Sequence, residues 1–224
     1  MIDTPIVPDD PKDLSRFLRE YLGRVASTLQ TMQDGQLYPN SNRASKAQYW
    51  DDYVSSFNAG KAVGLNAPTW ATFRGGLQAW SFSATVMNEV WLEPIHITHT
   101  YKPNTAVYMH VHWSTTGTNT GVVRWGIEYS VAKGHNQAAF PATSTVYLEA
   151  AASGTAYQHM ITEMTIGQAI TTGIEPDSLI MMRVFRDTAN ANDTCTDAAF
   201  GLMCDVHYQK SYWATKNKAP NFYK

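Results

Sequence analysis

Apolar and polar positions follow two different periods along this chain. Between residues 14 and 32, Leu14, Leu18, Tyr21, Val25, Leu29 and Met32 recur at steps of four, three, four, four and three, which aligns them along one side of a helix. The flanks agree: Asp10 suits the N-cap, Pro11 the first helical position, Asp13 the positive end of the helix dipole and Gly35 the stop. Gly23 lies inside the segment and costs about 1 kcal/mol of helix propensity relative to Ala, so packing has to support the helix. The stripe predicts a buried face whose cover is its own domain, further copies of the chain or another protein.

Residues 36–66 hold no sustained period. They read as a linker with one short helical turn near Ala44–Val54, and Tyr49, Trp50, Tyr53 and Phe57 predict that it lies on a surface, since a free tether is poorer in aromatics.

From Thr69 onward the period is two. Strands are predicted at Leu77–Ser83, Asn88–Ile97, Ala106–Ser114, Val122–Val131, Thr145–Ala150, Tyr157–Met164, Leu179–Arg186 and Ala199–Tyr208, with turn-forming segments such as KPNT, TTGTNTG and DTANANDT between them. No helical pattern intervenes, which disfavours a parallel α/β sheet. The expected fold is mainly β: a jelly-roll-like antiparallel β-sandwich over residues 67–224, preceded by an N-terminal amphipathic helix and linker over residues 1–66. Two strands alternate cleanly. Val107, Met109, Val111 and Trp113 share one face, opposite Tyr108, His110 and His112; Val123, Trp125, Ile127 and Tyr129 share another, opposite Arg124, Gly126, Glu128 and Ser130.

Composition narrows the function. With 44% hydrophobic and 16% charged residues among 224, the chain folds, and one core suffices. Its 17 Lys+Arg against 19 Asp+Glu give a net charge of -2 with no dense basic run, so no nucleic-acid partner is expected. No stretch approaches about 18 consecutive apolar residues, and the acidic start MIDTPIVPDDPKD lacks the basic-then-apolar order of a signal peptide. No membrane partner is expected, and the protein is expected to be soluble and made in a cytoplasm. Cys195 and Cys204 form no CxxC motif, which fits a reducing compartment.

The sharpest candidate chemistry is His110-x-His112, two imidazoles on one strand face. Cupin-type metal sites begin this way, but the next acid is Glu128, past a turn; a hairpin would bring it across, and His207 would supply a third nitrogen. Against this stands the plainer reading, histidines satisfied by hydrogen bonds or at a subunit contact. His96 and His99 fall on opposite strand faces and make no second site; His135 and His159 have no evident companion. With no acid at the cupin spacing after the pair, no metal is expected; with no GxSxG elbow, no GxxxxGK[ST] and no GxGxxG, no enzyme activity or cofactor is expected. Trp70, Trp80, Trp91, Trp113 and Trp125 are read mainly as core or interface, with a sugar-stacking platform as the rival. Asp187, Asp193 and Asp197 read as a solvated loop, because the EF-hand order is absent.

The stretches HITHTYKPNTAVYMHVHWSTTGTNTGVVRWGIEYSVAKGHNQAAFP, RVFRDTANANDTCTDAAFGLMCDVHYQ and ATKNKAPNFYK resemble a family of tailed-bacteriophage structural proteins, over roughly residues 68–224. The most specific piece is Val111-His112-Trp113, a Thr/Gly turn, then Val123-Arg124-Trp125-Gly126. The resemblance implies a virion protein assembled in the host cytoplasm, tail- or collar-associated (a fibre or fibre adaptor), with a capsid decoration protein as the alternative position. It implies other virion proteins as partners and attachment or oligomerisation through Leu14, Leu18, Tyr21, Val25, Leu29 and Met32. A closed homo-oligomer is expected, most simply a trimer. The rival function classes are a module binding host-surface glycan and a cupin-like metalloenzyme.

Overall fold

A computed structural model describes residues 18–27, 49–211 and 214–224. The chain divides into two compact units, Met1–Gln48 and Tyr49–Lys224. In the first unit α1 spans residues 18–27. Its stripe residues Leu18, Tyr21 and Val25 are exposed, as is Leu22; Leu14, Leu29 and Met32 lie outside the described residues. Among the described residues, no helix is long and apolar enough to cross a membrane.

The second unit is a sandwich of two antiparallel sheets. One contains β1 (Tyr49–Ser56), β2 (Thr69–Arg74), β3 (Leu77–Phe82), β6 (Tyr108–Thr115), β9 (Met160–Glu163) and β11 (Ala199–Lys210). The other contains β4 (Glu89–Trp91), β5 (Ile95–His96), β7 (Val122–Ala132), β8 (Ser144–Ala151) and β10 (Leu179–Arg186). The first sheet runs β2-β3-β11-β6-β9, and β1 extends the β3 side of β11; the second runs β4-β10-β7-β8, with β5 beside β4 on β10. Count eight strands from β3, taking β4 and β5 as two pieces of one. The sheets then read first-eighth-third-sixth and second-seventh-fourth-fifth, which is the jelly-roll order.

The alternation in β6 and β7 places the core. Met109, Val111, Trp113, Val123, Trp125 and Ile127 are all buried between the sheets, and the Trp113 and Trp125 rings meet edge to face at 6.3 Å. Trp113 also donates its indole N–H to Thr162 Oγ1 at 2.9 Å.

Four expectations are corrected. The segment around Ala44–Val54 does not form a helical turn where it is described: Tyr49–Ser56 is strand, paired with β11 from Tyr49↔Lys210 to Ser56↔Met203. Tyr49, Tyr53 and Phe57 recur every four residues, a spacing that suits either period, and the free edge of β11 decides for the strand. Thr69–Arg74, unassigned from sequence, pairs with β3. Finally, β6 and β7 form no hairpin. Both edges of β6 are taken, by β11 and β9, so the connection crosses to the other sheet. Its Asn119 N–H donates to Asp197 Oδ2 at 2.9 Å, and a Cβ on Gly121 would stand 2.4 Å from the Thr194 carbonyl oxygen, so this crossing is pressed against the loop before β11. The predicted Asn88–Ile97 strand is likewise split into β4 and β5, with Pro94, which has no N–H to donate, in the break.

Candidate functional site

The outer face of the β1-containing sheet carries a cluster of histidines and carboxylates, assembled by register. With Met109, Val111 and Trp113 turned inward, Tyr108, His110 and His112 point to the other side. Opposite His110 stand Asp205 of β11 on one flank and Glu163 of β9 on the other; opposite His207 stands Asp52 of β1. His159, just before β9, completes the group.

Distances show how tightly it is built. The rings of His110 and His207 stack at 4.0 Å, and His112 lies 4.9 Å from both His110 and His159. His112 Nδ1 and His159 Nε2 are hydrogen-bonded at 2.7 Å. His112 Nε2 is 3.3 Å from Asp205 Oδ2, close enough for an ion pair, yet it makes no aligned hydrogen bond. His207 faces a carboxylate with each nitrogen: Nε2 is 3.1 Å from Asp52 Oδ1, and Nδ1 touches Glu163. Trp50 stands beside the cluster, edge-on to Tyr108 at 5.8 Å and to His207 at 6.5 Å.

Although it lies on an outer face, His110 is only 1% exposed and Asp205 only 5%. Burial pushes the His110 imidazole down to about 4, helped by His207 and His112. Burial likewise lowers His112, with His159 adding to it. Asp205 is pushed up to about 6, mainly by burial and further by Asp52, against the pull of the Ser55 N–H and His207. Burial thus moves each of these three groups toward its neutral form. His110 Nδ1 and His112 Nε2 are buried with no hydrogen-bond partner, and an unpaired buried polar atom costs about 1–3 kcal/mol. Two groups of possible ligands share His110: Asp52, His110 and His207, and His110, His112 and Asp205, each with one donor atom per residue and all donors within 4.8 Å of one another.

Of the sequence candidates, the structure brings together His110, His112 and His207 and adds His159, for which no companion was expected. Glu128 is not part of the site. It belongs to the opposite sheet, where its carboxylate accepts from Arg183 Nε and, at 2.6 Å, from Thr143. Asp52, Glu163 and Asp205 were missed. One signal for them was present, since Asp205-x-His207 repeats on β11 the alternation of His110-x-His112 on β6.

Two further expectations change. His96, His99 and His135 are not isolated: they surround Asp177, with Nε2 atoms 3.1, 3.5 and 2.7 Å from its carboxylate oxygens. The Asp187–Asp197 connection is not simply solvated, because Asp193 is buried against Arg186. The tryptophans divide. Trp113 and Trp125 are core, as expected, whereas Trp70 and Trp91 are exposed. Cys195 and Cys204 are free thiols, both buried, and burial raises the pKa of each.

Trp91 belongs to the outer face of the second sheet. A cross-strand row there runs Trp91, Arg183, Glu128, Thr145. Arg183 bridges Glu128 and Glu89, and a hollow of about 280 Å³ opens between Trp91, Ser130, Thr143, Met181 and the Arg183–Glu128 pair.

No family model matches the chain, and no curated protein matches it in sequence. Among solved structures, it is similar to the carbohydrate-binding module TmCBM61 in complex with β-1,4-galactotriose, at 10% identity over 71% of this chain and 88% of that one, with a TM-score of 0.31. It is also similar to dimeric latent PorU from Porphyromonas gingivalis, at 9% identity over 73% of this chain and 13% of that one, with a TM-score of 0.31.

Proposed function

We propose that this chain is a non-enzymatic structural protein of a tailed-phage virion, attached and trimerised through its N-terminal helical segment, with the jelly roll displayed as a tail or collar component. The observation that carries the assembly role is the exposure of Leu18 and Val25 on α1, in a unit separate from the sandwich. An apolar helical stripe in water calls for a cover. A second and third copy of the same stripe supply it in the simplest closed way. The virion placement rests on the sequence resemblance of residues 68–224. The absence of nucleophile and phosphate-binding motifs is compatible with a structural role.

The test is the double substitution Leu18→Asp and Val25→Asp in the full chain. Wild-type protein is expected to sediment as a trimer and to enter particles. The variant is expected to sediment as a folded monomer and to be excluded. A monomeric wild type, or normal incorporation of the variant, overturns the reading.

One observation favours a second role for the same protein, recognition of host-surface glycan. Trp91 offers an exposed ring to a hollow also lined by the Arg183–Glu128 pair. An aromatic face beside paired donors and acceptors suits a pyranose ring. Saturable binding of the full chain to purified host polysaccharide, lost in Trp91→Ala, is the expected result; no binding removes this role.

A further inference from the structure

We propose that His110, His112 and Asp205 hold one divalent transition-metal ion of the zinc class on the open face of the β1-containing sheet. The backbone sets up the ligands before any ion arrives. His110 and His112 are alternate residues of β6 and project from one face, and Asp205 lies directly across the ladder from His110. These are neighbouring strands each paired on both sides, so the donors ride on backbone held at both edges.

The spacing fits. Zinc sits about 2.0–2.2 Å from nitrogen and oxygen donors, which places tetrahedral donors roughly 3.3–3.6 Å apart. His112 Nε2 and Asp205 Oδ2 are already 3.3 Å apart, and a His110 nitrogen completes the group within 4.8 Å.

A second observation points to a ligand independently of spacing. His110 Nδ1 and His112 Nε2 are buried polar atoms without a hydrogen-bond partner, and His110 is almost wholly out of solvent. His112 spends its other nitrogen on His159, which leaves Nε2 facing the Asp205 carboxylate without a bond. An imidazole held at one nitrogen and open at the other, beside a carboxylate, has the outer-shell arrangement of a metal ligand. A cation between them would satisfy both atoms at once.

Ligand type selects the ion. Two imidazoles and one carboxylate suit zinc and its neighbours, whereas calcium and magnesium need oxygen-rich shells. The Asp52–His207 pair, which shares His110 in its own group of the same span, borders the site. The ion would staple β6 to β11 from outside, opposite the core contacts of Met109 and Val111. This inference is independent of the virion placement.

The test uses the full-length chain without an affinity tag, stripped with chelator and titrated with Zn²⁺ or Co²⁺ by calorimetry, with Ca²⁺ and Mg²⁺ as controls. Saturation at one Zn²⁺ per chain is expected, together with a raised Tm, a visible Co²⁺ absorption band and no response to Ca²⁺ or Mg²⁺. His112→Gln and Asp205→Asn should each lose binding by about tenfold or more, and His159→Gln should weaken it about 10–100-fold at unchanged stoichiometry. His112 lies at the rim of the cluster, so its variant keeps the fold, and the Co²⁺ band reports on ligation independently of stability. No saturable Zn²⁺ binding by the wild type overturns the proposal and leaves the cluster a self-contained hydrogen-bond network. Equal binding by wild type, His112→Gln and Asp205→Asn overturns it as well.

Discussion

The guanidinium of Arg186 grips the carboxylate of Asp193 with two hydrogen bonds, Nε to Oδ2 at 3.0 Å and Nη2 to Oδ1 at 2.8 Å, and both side chains are closed off from solvent. Arg186 also donates to the carbonyls of Asp197 at 2.7 Å and Cys195 at 2.5 Å, while Asp193 accepts the Arg124 N–H at 3.0 Å. Four of the five guanidinium N–H groups and both carboxylate oxygens are used, and the loop between β10 and β11 is built around this pair. Arg186→Met strands a buried carboxylate and is expected to cost about 3–5 kcal/mol. The double variant Arg186→Met/Asp193→Leu should recover part of that loss, since apolar replacement of a whole buried pair is often neutral. Urea unfolding of wild type, Arg186→Met, Asp193→Leu and the double variant closes the cycle; additive losses would show that the two residues are not coupled.

Strand β1 makes a sharper claim about where the β-unit begins. Tyr53 stacks on Tyr208 with centroids 3.9 Å apart and planes 7° apart, and its hydroxyl hydrogen-bonds Thr98 at 3.1 Å. A chain starting at residue 49 should fold. One starting at residue 67 should not, because it leaves the β11 edge open and Tyr208 uncovered. Tyr53→Ala is expected to cost about 3 kcal/mol, near the lower end for loss of a buried aromatic ring. Circular dichroism and thermal unfolding of the two truncations and the point variant measure it, and equal stability of both truncations would show that β1 is dispensable.

Most strands were legible because their signal is local. Leu179–Arg186 falls where the alternation put it, and Val111, Trp113, Val123 and Trp125 are all buried as their periods required. Pairing was not legible, since it depends on which edges other strands leave free. That is why β6 and β7 looked like a hairpin and why Tyr49–Ser56 looked like a linker.

The candidate site shows the same division. His110 and His112 share a face by simple alternation, but Asp205, Glu163 and Asp52 join them only through cross-strand register. Nothing in the order of residues tells β6 that β11 and β9 will be its neighbours. The gathering of His96, His99 and His135 on Asp177 was hidden for a different reason: it forms from loop and strand-end residues whose side chains no period orders.

On the second sheet, Gly126 is the floor under Phe185. A Cβ there would stand 2.2 Å from the Phe185 Cζ, and Phe185 in turn lies under Arg183, whose guanidinium carbon is 4.9 Å from the ring centre. Gly126→Ala must push the ring outward and with it the arginine that faces Glu128 and Glu89. A loss of about 1–3 kcal/mol is expected, as for other overpacked sites. If the hollow beside Trp91 binds glycan, affinity should fall with it. A variant with wild-type Tm would mean that the ring swings away freely.

Asp177 gives the clearest acid response. Its pKa is held below the ordinary carboxylate value, first by the hydrogen bond from His135, then by His96 and the charge of His99. Those three imidazoles are the titratable groups seen facing it, and the nearby Lys133 is engaged with Glu175 at 2.9 Å. A carboxylate with a depressed folded pKa binds fewer protons in the folded state than in the unfolded state. Its stabilisation is therefore complete above the unfolded value of 3.8 and is lost as pH falls through the lower folded value. Asp177 remains partly solvated, so solvent screening limits the effect to about 1 kcal/mol or less. Asp177→Asn should be slightly less stable than wild type at neutral pH, and the gap should close as pH falls through the lowered folded value and the wild-type carboxylate is also protonated. Urea midpoints measured from neutral pH downward decide the matter; parallel curves for the two proteins would show that the three histidines do not stabilise the ionised Asp177.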